Sequence, residues 1–190
     1  MSERPVVALI AGGTPQRVDT VADALTTLFG RRLRVERTPD AREAVRRSAE
    51  LDASGVVIPI VFACCGAGLG PDEVLELRNG IRSFGSRVIA LTESASLTGL
   101  APLLGSEAVD GFITEPWTPH GFRKVVLAQF ATHLVGHAPD EIQRFGDLLG
   151  DDELRRAEVR IERRRSAPSH QFDRPHPLLD TSSEDAELEA

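Results

Sequence analysis

Continuous apolar runs that are each followed by a helix-start signal constrain this fold more than any other feature of the sequence. The first run covers residues 6–10, and two glycines, Thr14 and Pro15 follow it. A strand buried on both faces is an unbroken apolar run, and threonine before proline is typical of a helix N-terminus. The alternation recurs along most of the chain. The sequence therefore predicts strands that alternate with helices.

Five strands and five helices follow from this alternation. The strands are expected at residues 6–10, 33–35, 56–62, 87–91 and 111–114. Pro59 is unusual within the third, because proline cannot donate to a sheet ladder. Helices are expected to begin near residues 14, 38, 71, 95 and 118, and the one at 95–104 is weak because Gly99 and Pro102 interrupt it. Parallel strands need such crossovers, so we predict an α/β fold, a doubly wound parallel sheet of five strands in the order 2-1-3-4-5.

The sequence changes character after residue 136. Residues 137–165 are densely charged, and the narrow apolar seam within them spans only about two heptads, too few for a coiled coil, so a solvated helix that extends from the domain is expected. Residues 166–190 are rich in proline, serine and acidic side chains, which is typical of a disordered tail. The predicted organisation is an α/β domain at 1–136, a charged helical extension at 137–165 and a disordered acidic tail at 166–190.

Charge and cysteine content limit the partners and the compartment. A net charge of -7 with a pI near 5.3 argues against nucleic acid or an anionic membrane as the main partner, because phosphate binding needs a concentrated positive patch. Cys64 and Cys65 are neighbours, which rarely form a disulfide, so reduced thiols are expected. No signal peptide and no membrane-spanning segment are predicted, so we expect a cytoplasmic protein.

The carboxyl ends of the strands are where an open α/β sheet carries its site. These ends read "AGGTP", "ACCGAG", "LTES" and "TEPWTP". The phrase "EPWTPHGF", the strand end at Leu91 and Thr92 and the spacing of the elements resemble the receiver domain of bacterial two-component response regulators, over roughly residues 5–135. The resemblance implies a flavodoxin-like receiver fold. It also implies a site in which carboxylates hold a divalent cation, an aspartate accepts a phosphoryl group, a lysine pairs with it and a hydroxyl senses it.

The phosphorylation positions carry other residues in this chain. The positions of the family fall on Gly12, Gly13, Ala63, Thr92 and Glu115. The acidic pair is replaced by glycines, the acceptor by alanine, or by Cys64 if the register shifts by one, and the lysine by glutamate. Thr92 alone keeps the expected residue type. We therefore predict a degenerate receiver, or pseudo-receiver, with no catalytic residue, no metal, no cofactor and no aspartyl phosphorylation.

The surface is then the expected functional part of the domain. The resemblance implies docking or homodimerisation through the face formed by its fourth helix, fifth strand and fifth helix. Candidate contact residues on that face are Leu100, Leu104, Trp117 and Phe122. The leading interpretation is a non-enzymatic regulatory or scaffolding module that binds an unidentified protein partner as a homodimer.

The sequence leaves two other functions open for the strand ends. Gly12 and Gly13 could form an anion cradle at a helix N-terminus, and Cys64 and Cys65 could form a redox sensor. Either would make the chain a binding or sensing module that uses the strand ends. Histidines 120, 133 and 137 are interpreted as ordinary surface residues near a helix end, not as metal ligands. A DNA-binding output domain is not expected, because the sequence after residue 135 is too short and too acidic.

Overall fold

A five-stranded, all-parallel sheet forms the centre of the protein, with strand order β2-β1-β3-β4-β5. The computed structural model describes residues 4–66, 68–103 and 106–166. The strands are β1 (Val7–Ala11), β2 (Arg34–Thr38), β3 (Ile60–Cys64), β4 (Arg87–Glu93) and β5 (Gly111–Glu115). The predicted doubly wound fold and its strand order are confirmed.

The α-helices of the described residues begin close to the positions that the sequence indicates. They are α1 (Pro15–Phe29), α2 (Ala41–Ala53), α3 (Pro71–Ile81), α4 (Pro119–His137) and α5 (Asp151–Ser166). Thr14 and Thr118 cap α1 and α4 by accepting backbone N–H groups three residues on. The start predicted near Thr38 is displaced. Thr38 ends β2, and its hydroxyl donates to the Ile10 carbonyl at 3.3 Å, so Asp40 caps α2 instead.

Proline moves the third strand. The sequence predicts a strand over 56–62, whereas β3 covers Ile60–Cys64 and Val57 makes only an isolated bridge to Val6. Pro59 has no N–H to donate, and its carbonyl accepts from the Arg87 amide at 2.9 Å just before β3 begins. The weak helix predicted at 95–104 is a 3-10 helix, Ser94–Leu103.

Two apolar layers lie on opposite faces of the sheet because successive strand residues point to opposite sides. Ala8 and Ile10 of β1 face the layer that contains α1 and α4. Val7 and Leu9 face the layer that contains α2, α3 and the 3-10 helix Ser94–Leu103. In the parts of the chain that the structure describes, every helix is too short or too polar to cross a bilayer.

The charged extension belongs to the first of these layers. It consists of a 3-10 helix, Pro139–Phe145, and α5, and it does not project as one solvated helix. Phe145 is fully buried, and its ring centroid lies 4.8 Å from that of Phe130 and 6.2 Å from that of Phe29. Leu149 and Ala157 are buried in the same cluster. The sequence misleads here because a few apolar residues, Phe145 and Leu149 before α5 and Ala157 within it, are enough to anchor a segment that is otherwise densely charged. The predicted tail lies outside the described residues from 167 onward.

His133 is a core residue and not a surface histidine. Its side chain lies within α4 with 3% of the residue exposed, and its Nδ1 is 3.1 Å from the Gly85 carbonyl oxygen. The ring of His137 stacks on it at 5.4 Å between centroids. Burial lowers the pKa of His133 to about 4, and the Gly85 contact opposes this shift only in part. The imidazole is therefore neutral in the folded protein near neutral pH.

This burial predicts a measurable pH dependence of stability. Between pH 6.5, the ordinary histidine pKa, and about 4, the unfolded chain binds a proton at His133 that the folded chain does not. The free energy of unfolding should therefore fall as the pH is lowered, by about 2 kcal/mol between pH 7 and pH 5 from this group. Urea unfolding at a series of pH values measures the slope. A His133→Gln variant should have a shallower slope, and equal slopes would refute the assignment.

Candidate functional site

The crevice at the carboxyl ends of β1, β3, β4 and β5 is the candidate functional site. The β1 end contributes two glycines with positive φ, Gly12 at 69° and Gly13 at 90°. A Cβ on Gly13 would lie 2.8 Å from the Cβ of Cys64, so the β1 loop can approach β3 only with glycine at this position. The amide of Gly12 donates to the Thr38 carbonyl at 3.0 Å. Because the Gly12 N–H already donates to this carbonyl, it is not available to bind an anion, which weakens the anion-cradle alternative.

Arg17 occupies the middle of the crevice. It is the third residue of α1, and its guanidinium reaches the last residues of β4 and β5 and the residue that follows β3. Nη2 is 2.7 Å from a carboxylate oxygen of Glu93 and also pairs with Glu115, while Nη1 donates to the Cys65 carbonyl at 3.0 Å. The Arg17 side chain is only 9% exposed, whereas Glu115 is 21% and Glu93 62% exposed. We call this arrangement of Arg17, Glu93 and Glu115 the arginine cluster.

The electrostatics keep the Arg17 charge in place. Burial tends to lower the pKa of Arg17, but the hydrogen bond and charge of Glu115, with the charge of Glu93, outweigh it, so its pKa is raised. An arginine side chain stays protonated at any physiological pH. The crevice therefore holds a permanent cation that is covalently part of the chain.

The predicted acceptor and sensor positions are buried within the sheet. Ala63 is fully buried and is paired in register with Ala11 and Ala90. It offers no nucleophile to a phosphoryl donor. Thr92 is also fully buried, and its hydroxyl donates to the Glu93 carbonyl at 3.2 Å. Glu115 does lie at the crevice, and its bond to Pro116 is cis.

Sequence reasoning missed Arg17, which is the central charged group of the site. The sequence predicts Glu115 as the residue that replaces a lysine, and does not indicate its ion pair with Arg17. A weak signal exists, because side chains in a helix lean toward its N-terminus and an arginine one turn after a glycine loop can reach back over the strand ends. That geometry does not specify which carboxylates the arginine meets.

The two cysteine thiols are buried beside the arginine cluster. Burial raises the pKa of Cys64 to about 12, although the nearby charge of Arg17 lowers it in part. The pKa of Cys65 is raised to about 11 for the same reason. Both thiols are free and are hardly ionised near neutral pH, which does not favour a redox sensor.

Thiol labelling tests this description of the cysteines. At pH 7 we expect Cys64 and Cys65 to react with a disulfide reagent at least about 100-fold more slowly in the folded protein than in urea, because thiolate formation is suppressed and access is blocked. The chain contains no other cysteine, so the total absorbance change reports on these two alone. Rapid stoichiometric labelling of the folded protein would contradict it.

The candidate contact residues differ in their accessibility. Leu100 and Phe122 are each only 3% exposed and pack in the two core layers, so they present almost no surface to a partner. Trp117 is half-buried and packs on the Phe122 ring at 5.6 Å between centroids. Leu104 lies outside the described residues. Partly buried Phe112 and Val125 provide further apolar contacts near β5.

Comparisons with known proteins support the fold. No family model and no curated protein matches the chain. The signal receiver domain of an HD domain-containing protein from Pseudomonas fluorescens Pf-5 is 14% identical, with 72% of this chain and 93% of that chain covered at a TM-score of 0.54. The N-terminal domain of a response regulator/sensory box/GGDEF 3-domain protein from Carboxydothermus hydrogenoformans is 18% identical, with 68% of this chain and 98% of that chain covered at a TM-score of 0.53.

A chain described as adenylate cyclase from Rhodopirellula baltica is similar to the same degree. It is 14% identical, with 75% of this chain and 98% of that chain covered at a TM-score of 0.53. Likeness at such identity establishes the fold alone. The protein has a flavodoxin-like receiver fold. The described residues contain no group of three or more metal-ligating side chains.

Proposed function

We propose that this protein is a phosphorylation-independent pseudo-receiver, a non-enzymatic regulatory or scaffolding module that acts by binding another protein. The single observation that carries the proposal is the arginine cluster. Arg17 places a fixed positive charge between two glutamates at the strand ends. A divalent cation and a phosphoryl group would both have to enter this same space.

Electrostatics oppose metal binding in the presence of Arg17. Mg²⁺ needs several oxygen ligands in near-octahedral geometry and is usually held by carboxylates. The two carboxylates nearest the crevice, Glu93 and Glu115, are already paired with the guanidinium. The β1 loop supplies only Gly12 and Gly13, which have no side-chain ligand. A cation could bind only by displacing Arg17 from a nearly buried position.

Phosphoryl transfer also lacks its covalent acceptor. Transfer to a carboxylate requires an accessible nucleophile at the end of β3. Ala63 has none, and the neighbouring Cys64 thiol is buried and protonated. We therefore propose that the protein acts through residues on its outer surface and not through phosphorylation at the strand ends.

Binding of a second copy is the form of interaction that we propose. The face formed by the 3-10 helix Ser94–Leu103, β5 and α4 carries Phe112 and Val125 as partly buried apolar residues. Sedimentation equilibrium of the full chain should give a dimer at micromolar concentration. A monomer throughout that range would remove homodimerisation from the proposal and leave a different protein as the partner.

We also propose that the protein works in the bacterial cytoplasm, because its two buried free thiols are compatible with a reducing compartment.

Magnesium titration tests the proposed function. A ligand that binds only the folded state raises the unfolding temperature. For the wild-type chain we expect no change in unfolding temperature and no change in Trp117 emission with millimolar Mg²⁺, because Arg17 holds the carboxylates. Arg17→Ala frees Glu93, Glu115 and the Cys65 carbonyl and is the matched variant, in which a stabilising effect of Ca²⁺ or Mg²⁺ is expected. Saturable Mg²⁺ stabilisation of the wild type would overturn the proposal.

A further inference from the structure

An apolar groove remains open between α1 and α4 near the strand-end side of the protein. Its floor consists of Ala24 and Leu28 of α1 together with Trp117, Pro119 and Phe122, and Arg123 forms one rim. Leu28 and Trp117 are only half-buried. Exposed apolar surface of this kind, bordered by polar residues, marks a binding surface.

The chain itself fills the other half of the same groove. After α4 it returns between the two helices, and Phe145 inserts between Phe29 and Phe130. It continues toward the open half as far as Leu148, whose carbonyl lies 3.5 Å from the Arg123 guanidinium. The extension therefore already packs against this face and stops short of the open half.

The direction of α5 determines where the described chain leaves the domain. Arg160 donates to the carbonyl of Ala128 and to the Thr132 hydroxyl. A Cβ built on Gly136 would lie 3.3 Å from the end of the Ile161 side chain. Later residues of α5 thus lie beside later residues of α4, so the two helices run in the same direction. Ser166, the last residue of α5, therefore lies at the opposite end of α4 from the open groove.

We propose that Leu178 and Leu179 of the same chain occupy the open half of this groove. The helix rise of 1.5 Å per residue places Ser166 roughly 30 Å from the groove along α4. Leu178 follows Ser166 by about 12 residues, which span up to ~40 Å when extended. Phe172, the first large apolar residue after Ser166, follows by about six residues and reaches only ~20 Å. The leucine pair is the first apolar group after Ser166 that can bridge this distance.

Charge complementarity supports the same occupant. The leucines are followed by the acidic residues Asp180, Glu184, Asp185, Glu187 and Glu189, and no basic residue follows them. Arg123 is exposed at the start of α4 and lines the groove, and it forms no ion pair with a carboxylate of the described residues. A segment tethered to its own binding surface also has an effective concentration in the millimolar range, which favours it over a free partner.

The inference concerns the α1–α4 groove and is independent of whether the strand-end crevice can be phosphorylated.

Trp117 provides a direct measurement, because it is the only tryptophan of the chain. In the full-length protein, the double substitution Leu178→Asp with Leu179→Asp should uncover the indole and raise its acrylamide quenching constant by about twofold, with a shift of emission to longer wavelength. Phe172→Asp is the control, since it also replaces a large apolar residue by aspartate, with one added charge instead of two, at a residue too close to Ser166 to reach the groove. Charge reversal of Arg123 to glutamate should have part of the effect of the leucine substitutions.

The outcomes separate the possible occupants. Quenching in the wild type that does not change with protein concentration supports occupancy by the same chain. Protection that grows with concentration would overturn it in favour of a second copy. An unchanged quenching constant in the leucine variant, or an equal change in the Phe172→Asp control, would overturn the proposal altogether. Far-ultraviolet circular dichroism of each variant confirms that the domain is folded in every comparison.

Discussion

Replacing Phe145 by alanine is expected to lower the free energy of unfolding by about 4 kcal/mol, the largest effect of any substitution considered for this chain. The Phe145 ring is fully buried between Phe29 and Phe130. The guanidinium carbons of Arg32 and Arg144 lie 5.8 and 5.3 Å from its centroid. Truncation would therefore leave a cavity and remove two aromatic contacts and two cation–π contacts. Urea unfolding at pH 7 measures the change.

A substitution elsewhere in the extension provides the control. Val159 of α5 is 46% exposed, so Val159→Ala should change the stability by less than about 0.5 kcal/mol. If Phe145→Ala were equally mild, the segment after α4 would be an appendage and not a part of the domain core. A single cooperative transition in both variants is the accompanying expectation, because the extension shares one apolar layer with the sheet.

Replacing Arg17 by methionine is expected to cost about 3 kcal/mol. Methionine keeps much of the aliphatic volume but removes the guanidinium, so Glu115, which is largely buried, loses its counter-charge, and the Cys65 carbonyl loses its donor. An uncompensated buried carboxylate is expensive, whereas the exposed Glu93 can be solvated. Equilibrium unfolding in urea again gives the magnitude.

Two further variants identify the source of that cost. Glu93→Gln should cost less than about 1 kcal/mol, since Glu93 is well exposed. Adding Glu115→Gln to Arg17→Met should recover part of the stability, because it removes the unpaired charge. A double variant that is less stable than the sum of its single changes would show that Arg17 stabilises the protein through packing and not through its pairing with Glu115.

The fold was predictable because the information for it is local. The β1 run is apolar throughout and β4 has an apolar centre, Val88–Leu91, while Thr14 and Thr118 mark the starts of α1 and α4, so these elements could be recognised from their own residues. Errors arose where one residue type altered a boundary, as Pro59 did at β3. The crossover rules then left few topologies for a parallel sheet.

The site was predictable only in its position. The strand-end rule places Gly12, Gly13 and Glu115 at the same edge of the sheet, where β1 and β5 end. Arg17 was not recognised because its role depends on contacts with Glu93 and Glu115, which are distant in sequence and meet it only after the sheet has formed. The burial of α5 was missed for a related reason. A charged helix shows its buried stripe only when the surface that receives it is known.

Phosphorylation by a small donor tests the central claim most directly. The full chain is incubated with acetyl phosphate and Mg²⁺, and its intact mass is measured with and without subsequent hydroxylamine treatment. We predict no mass increase, because Ala63 offers no acceptor and Arg17 occupies the space between Glu93 and Glu115. A Mg²⁺-dependent gain of one phosphoryl group that hydroxylamine removes would contradict the account of this protein as a phosphorylation-independent pseudo-receiver.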